Sequence, residues 1–300
     1  MIVDMRYHVA SLVAVFLALG LGIIIGANLG VSVNPHFEQQ IGQLEQTYEK
    51  IRSDQKNVEK EMQTKNSELE IANQFQNAII PSLISNRLIG KRIAIIRTND
   101  SVDFKYARQL VNILRQTGAD ITSITSLTKV FDLKDPQFKT ELADAFDLPM
   151  QDDKLFLVSL YQRLIQILTQ GNGSSQFLFL HNKNLVELWG DYNRGFVDTL
   201  IVLGGANLPE SNHQADIDLY LLDATRKVLP GVSVIGVEPS FVKESYMRLY
   251  QSKGLSTVDN IDTPPGQVSL VYLIANGKRG YYGIKDTARN LIPTTLKINY

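Results

Sequence analysis

The sequence predicts a membrane-tethered α/β protein: an N-terminal transmembrane helix, a long coiled-coil helix, and then a mostly parallel-sheet domain of Rossmann- or flavodoxin-like type. Three observations carry this. Residues 9–33 form an apolar run of lipid-spanning length, residues 37–79 keep an uninterrupted heptad pattern, and the rest of the chain alternates short β-branched runs with helical segments.

The first run holds no Asp, Glu, Lys or Arg between Tyr7 and Phe37; Ser11, Asn28, Ser32 and Asn34 are its neutral polar interruptions, and His8 and His36 stand at its ends. One helix crosses the hydrocarbon core with about 20 residues, so the lipid bilayer is the first predicted partner. The region of Gly26, Ala27 and Asn28 makes a poor cleavage site, which predicts an uncleaved signal anchor. Arg6 and the amino terminus lie on one side, and Glu38, Glu45 and Glu49 precede Lys50 on the other. Because cations stay inside, the expected topology is a single pass through the cell membrane. Residues 1–8 are then cytoplasmic, 9–33 span the bilayer, and the C-terminal domain is extracytoplasmic. Within the span Ala10, Ala14, Ala18, Gly22, Gly26 and Gly30 recur at every fourth position, a ridge that lets a second helix approach closely. Each step turns the ridge by about 40°, so one partner meets three or four positions, of which Ala18, Gly22, Gly26 and Gly30 are the candidates for helix pairing.

Past the span, Phe37, Ile41, Leu44, Tyr48, Ile51, Val58, Met62, Leu69, Ala72 and Ile79 follow steps of four and three, with Gln55, Lys65 and Gln76 at the remaining seam positions. This register predicts a coiled coil over residues 37–80, bracketed by Pro35 and Pro81 and about 65 Å long. One isolated helix cannot bury such a seam, so a partner strand is implied, either a second copy or a second membrane protein. The residues flanking the seam are acidic (Glu38, Glu45, Asp54, Glu59, Glu61, Glu68) except for Arg52. In a parallel homodimer Asp54 would meet Glu59, so the flanks fit a partner with basic flanks. A weak homodimer kept soluble by its acidic flanks is the alternative.

Composition narrows the function classes. With 30 basic and 31 acidic residues and no basic tract, nucleic acid is not an expected partner. The absence of cysteine removes disulfides, thiolate nucleophiles and thiolate metal sites. Of the four histidines, His181 and His213 are isolated and lack metal-ligand spacing. His213 is expected just before a helix beginning near Asp216, with Asp216 and Asp218 favouring its positive end. Met5, Met62, Met150 and Met247 are too scattered for a thioether copper site. The expectation is a non-enzyme with no catalytic residues, no resident metal and no cofactor.

Residues 90–300 suffice for one α/β domain. Residues 92–97 (RIAIIR) read as a buried strand, with Asn99, Asp100 and Ser101 as turn and capping groups. A helix follows whose face is Phe104, Ala107, Val111 and Leu114, ending at Gly118. Strands are expected over 121–127, 199–203 and 232–237, helices over 153–169 and 216–228, and a loop over 171–175. Residues 267–275 read as a long apolar strand after a rigid turn at residues 263–266. In open sheets ligands bind beyond the carboxyl ends of the strands, an edge that here gathers Thr98, Asn99, Asp100 and Ser101 with Gly204, Gly205, Asn207 and Glu238. Asn99, Asp100, Gly204 and Gly205 are the candidate ligand edge, although strand-to-helix turns require the same residue types without any ligand.

Residues 5–20 (MRYHVASLVAVFLALG), the coiled coil after them, residues 256–266 (STVDNIDTPPG) and residues 280–283 (GYYG) give a resemblance that spans nearly the whole chain. The chain resembles the mycobacterial copper transport protein family (MctB-like). Its motif positions here are Asp259, Asn260, Pro264, Pro265, Gly266, Gly280 and Gly283. The resemblance implies an anchored envelope protein and, from the family name, copper export or homeostasis, so copper is the metal it would bring. Relatives linked to cell separation imply a second role, with a membrane partner in regulating peptidoglycan hydrolases. One span and no series of lipid-facing strands do not make a conduit. The sequence therefore favours a scaffold that presents its α/β domain to another envelope protein, with copper homeostasis as the rival. Asp259, Asn260 and Asp262 are expected to hold the turn through side-chain hydrogen bonds, with a hard cation such as calcium as the alternative.

Overall fold

A computed structural model describes residues 5–31, 35–100, 102–127, 129, 131–150, 152–207, 213–228 and 231–294; the side chains of residues 29–38, 213–216 and 226–228 are not described. The chain divides into two compact units, Met1–Asn73 and Gln74–Tyr300.

The first unit holds helix α1 (Met5–Val31) and most of helix α2 (Pro35–Ile84). Among the described residues α1 is the one helix long and apolar enough to cross a membrane. Ala18, Gly22 and Gly26 are exposed along it, with open space at both glycines, while Gly30 belongs to the stretch whose surroundings are not described. The seam residues Ile41, Leu44, Tyr48, Ile51, Val58, Met62 and Leu69 are all exposed, so the apolar stripe of α2 is uncovered by the described residues of its own unit. The helix does not stop at Pro81 as the sequence predicts; it runs one turn further, to Ile84. The missing N–H of Pro81 forfeits one bond, yet Ile80, Leu83 and Ile84 pack into the core of the second unit and hold the final turn.

The second unit is a seven-stranded sheet between two helical layers. In chain order it comprises β1 (Arg92–Arg97), α3 (Phe104–Gln116), β2 (Asp120–Ser126), α4 (Pro136–Phe146), α5 (Asp153–Gln170), α6 (Ser174–Asn182), β3 (Glu187–Gly190), β4 (Thr199–Leu203), α7 (His213–Val228), β5 (Ser233–Val237), α8 (Met247–Ser252), β6 (Ser256–Val258), α9 (Pro264–Asn276) and β7 (Tyr281–Tyr282). The spatial order is β3-β2-β1-β4-β5-β6-β7, parallel throughout except for β3, which closes one edge antiparallel to β2. Counting the parallel strands alone, the first five follow the flavodoxin-like order 2-1-3-4-5.

Both faces of the central strands are covered, which is why β1 and β4 read as continuous apolar runs. One face buries Ile93, Ile95, Ile201, Leu203, Ile235 and Val237 against Leu110 and Leu114 of α3, Leu270 and Ile274 of α9, and Ile84. The other buries Ala94, Ile96, Leu200 and Val202 against Leu164 and Leu168 of α5 and Leu221 of α7. Each such Ile, Val or Leu contributes about 1.5–3 kcal/mol.

Several local expectations change. Residues 267–275 are not a strand but the body of α9: Pro264 opens the helix, and Gly277 ends it at a φ of 60°. Seven of its residues are buried, so no polar face marks a helical period, and an apolar run of that length is ambiguous from sequence. The cap of α3 is Asp103, which accepts from Lys105 N at 2.8 Å; residues 99 and 100 lie before it, and Ser101 lies outside the described residues. The segment 171–175 is in part helical, because Gly171 caps α5 in the left-handed conformation and α6 starts at Ser174. Helix α7 begins at His213, three residues earlier than predicted.

Candidate functional site

The carboxyl ends of β1 and β4 form the topological switch point, where the chain reverses its direction of progress across the sheet. Asn99, Gly204, Gly205 and Glu238 are gathered there and are buried, whereas Asp100 is exposed and reaches back to Arg97 at 3.2 Å. The crevice is filled by the domain's own side chains. A β-carbon on Gly204 would overlap the hydroxyl of Tyr250, and one on Gly205 would lie 2.6 Å from Val242. Asn99 Nδ2 donates to the Tyr246 hydroxyl at 3.3 Å. Asn207 is half-buried at the rim.

Two buried acids dominate the electrostatics. Asp218 is not a solvated charge at the positive end of α7; it is fully buried, and its Oδ1 accepts from the Tyr250 hydroxyl at 2.5 Å and from Thr98 Oγ1 at 3.1 Å. Its Oδ2 is buried with no hydrogen-bond partner, and burial pushes the carboxyl up to about 7, although the two hydroxyls pull the other way. The acid thus joins the end of β1, helix α7 and helix α8 through a proton-holding joint sealed from solvent. Sequence periodicity contained the signal: Asp218, Leu221, Leu222 and Thr225 form a buried stripe at helical spacing.

Glu238, also fully buried, accepts from Lys285 Nζ and Ser245 Oγ at 2.6 Å each and from Tyr246 N at 3.0 Å. Burial raises its pKa and the Lys285 hydrogen bond opposes the rise. Nothing in sequence spacing links Glu238 to Lys285, 47 residues away. Changing Lys285 to Met would leave the carboxylate buried without its cation, and we expect a loss of about 3 kcal/mol in urea unfolding, most of it recovered when Glu238→Gln is added.

The motif residues meet around the end of β6. Asp259 accepts from Ile284 N at 2.7 Å and Lys285 N at 3.2 Å, and Asp262 accepts from Ser240 N and Oγ at 2.6 and 2.7 Å. Backbone and hydroxyl donors thus hold both carboxylates. Gly283, at a φ of 142°, lets the chain pass so close to Asp259 that a β-carbon would overlap the carboxylate. A β-carbon on Gly280 would overlap the Tyr282 ring. Pro264 and Pro265 occupy the first turn of α9, where a missing N–H costs nothing. Gly266 is pressed against Asn260, whose own amide is buried with neither atom hydrogen-bonded.

Soft copper donors are dispersed among the described residues. Met247 is buried in the core, Met62 on α2 and Met150 in the connection between α4 and α5 are exposed, and His181 Nδ1 sits 3.1 Å from the carbonyl oxygen of Val186. Among the described residues no group of three or more His, Cys, Asp or Glu side chains is placed to hold a metal ion.

A family model described as "Copper transport outer membrane protein, MctB" matches residues 1–293. The chain is similar to proteins named "Copper transporter MctB" from Mycobacterium bovis and Mycobacterium tuberculosis. Each is 24% identical over 318 residues, covering 94% of this chain and 96% of the relative.

Proposed function

The chain belongs to the MctB family, and on that basis we propose that it is a single-pass anchored envelope protein that serves copper transport or homeostasis through a bound partner rather than as the conduit itself. The observation that carries this reading is the exposed apolar stripe of α2, from Ile41 to Leu69, which the described residues of its own unit leave uncovered. Such a stripe gains stability when a second helix packs against it. In this reading the protein is not an enzyme, the C-terminal unit is extracytoplasmic, and the stalk takes either a second copy or a helix with basic flanks. Acidic residues around the stripe favour the basic partner by charge complementarity. The same stripe would serve the cell-separation role, in which the partner regulates a wall hydrolase.

The test is a pull-down of the full chain from detergent-solubilised envelope, with copper content and oligomeric mass read on the same sample. A stoichiometric partner, or a dimer, is expected, and Ile51→Asp with Val58→Asp should weaken the association by at least about 100-fold. The melting transition of the C-terminal unit should not move. Recovery of the same assembly with the double variant would refute the role of the stripe. Copper sensitivity on deletion then separates copper handling from a chaining defect caused by failed cell separation.

A further inference from the structure

A groove of about 290 Å³ lies between the outer face of α3 and the motif loop that leads into α9, lined by Tyr106, Gln109, Asn112, Ile113, Asp262 and Gln267, with Leu110 and Ile261 beneath. We infer that this groove is a binding site for a neutral saccharide unit, of the hydroxyl- and acetamide-bearing kind found in wall glycans.

The argument starts from the donors and acceptors. Gln109 and Asn112 are three residues apart on α3 and so share a face, while Gln267 approaches from α9. None of these three amides has a hydrogen bond to another described residue, so the donors and acceptors of all three are available to a ligand. Asp262 is oriented by Ser240 N and Oγ at 2.6 and 2.7 Å, and each of its oxygens keeps a lone pair for a hydroxyl.

Ring recognition needs a rigid apolar plate, and Tyr106 supplies one. Its ring packs on Phe241 with centroids 4.8 Å apart, and Leu110, Ile113 and Ile261 continue the apolar surface. A pyranose offers the matching pattern, hydroxyls around its edge and C–H groups on its face, and an acetamide adds a methyl for the aliphatic floor. Charge selects against the commonest alternatives. No Lys or Arg lines the groove and Asp262 does, which disfavours phosphates and carboxylates. Lys105, on the same helix, lies over the Tyr106 ring at 5.1 Å without lining the groove. The site is also pre-organised, since its motif wall is fixed by Asp259, Asp262 and the tight contact at Gly266.

This inference does not depend on the stalk reading above. The test uses the full chain in lipid nanodiscs, free of glycoside detergent, titrated with tri-N-acetylchitotriose and followed by calorimetry and by Tyr fluorescence. Saturable binding with a Kd of about 1 mM or tighter is expected. Gln267→Ala and Asn112→Trp should each weaken it at least about tenfold with no change in melting temperature, because Ala suits a helix and position 112 is exposed. Absence of saturable binding, or binding unaffected by both variants, would overturn the proposal. So would preferential binding of a neutral Gly/Ser peptide of similar size.

Discussion

Replacing Gly266 by Ala is expected to cost about 4 kcal/mol or more, one methyl group undoing the corner between β6 and α9. The added β-carbon would overlap the carbonyl oxygen of Asn260 and lie 2.6 Å from its carbonyl carbon and 2.7 Å from its Oδ1. Two of these atoms belong to the backbone and cannot rotate away, and the Asn260 carbonyl also accepts from Thr263 N and Oγ1 at 2.9 Å each. Relief must therefore come from moving α9, whose Val268, Leu270, Val271, Leu273 and Ile274 are buried against the sheet. Losses of this size are confined to a few mechanisms, and overpacking against backbone is one of them. Gly42 on α2 is the control: nothing lies within 4 Å of a β-carbon there, so Ala should be neutral or stabilising by up to about 1 kcal/mol. Urea unfolding of both variants checks the pair, and equal stabilities would contradict the tight contact.

Asp218 makes the second large effect, and its sign is opposite to that of most carboxylates. An unfolded chain holds this carboxyl at an ordinary value of 3.8, whereas the folded chain raises it to about 7. Between those values the folded state binds the extra proton, so the stability this group contributes is fully present below about pH 4 and is lost as the pH rises towards 7, about 4 kcal/mol in total. Glu238 and Asp259, also raised by burial, push the same way. Asp218→Asn keeps the shape and removes the charge. It should flatten most of the decline and leave the variant more stable than the parent by about 2 kcal/mol at pH 7.5, after the cost of burying an amide NH2 whose two N–H groups lack partners. Stability against pH for the two proteins decides this, and identical slopes would show that Asp218 is not the group that titrates.

What the residues disclosed in advance depended on whether burial left a pattern. The run from Ile93 to Ile96 and the run from Leu200 to Leu203 are buried on both faces and stand out as strands, and the stripe of Ala107, Val111 and Leu114 marks α3. Strands β3, β6 and β7 span four, three and two residues, too short to show alternation. Helix α9 failed for the opposite reason, being apolar on nearly every side. At the switch point Asn99, Gly204 and Gly205 were found because turns concentrate such residues. Tyr250, which fills the space the glycines leave, and Lys285, which neutralises Glu238, come from elements far along the chain and carry no local signature. The glycines at 266, 280 and 283 were legible as motif positions, Gly266 within a rigid turn, but the atoms they press against were not.

The central position of β1 has a price during synthesis. Its partner on one side, β2, follows at once, but its other edge pairs with β4, and the bond from Arg92 N to Asp198 Oδ2 closes a span of 106 residues. At about 5–20 residues per second the ribosome needs about 5–20 s to supply that partner. Throughout that interval Ile93, Ile95 and Ile96 present an uncovered strand edge of the kind that recruits foreign strands. A nascent chain of this design is therefore a natural client for holding chaperones until β4 emerges.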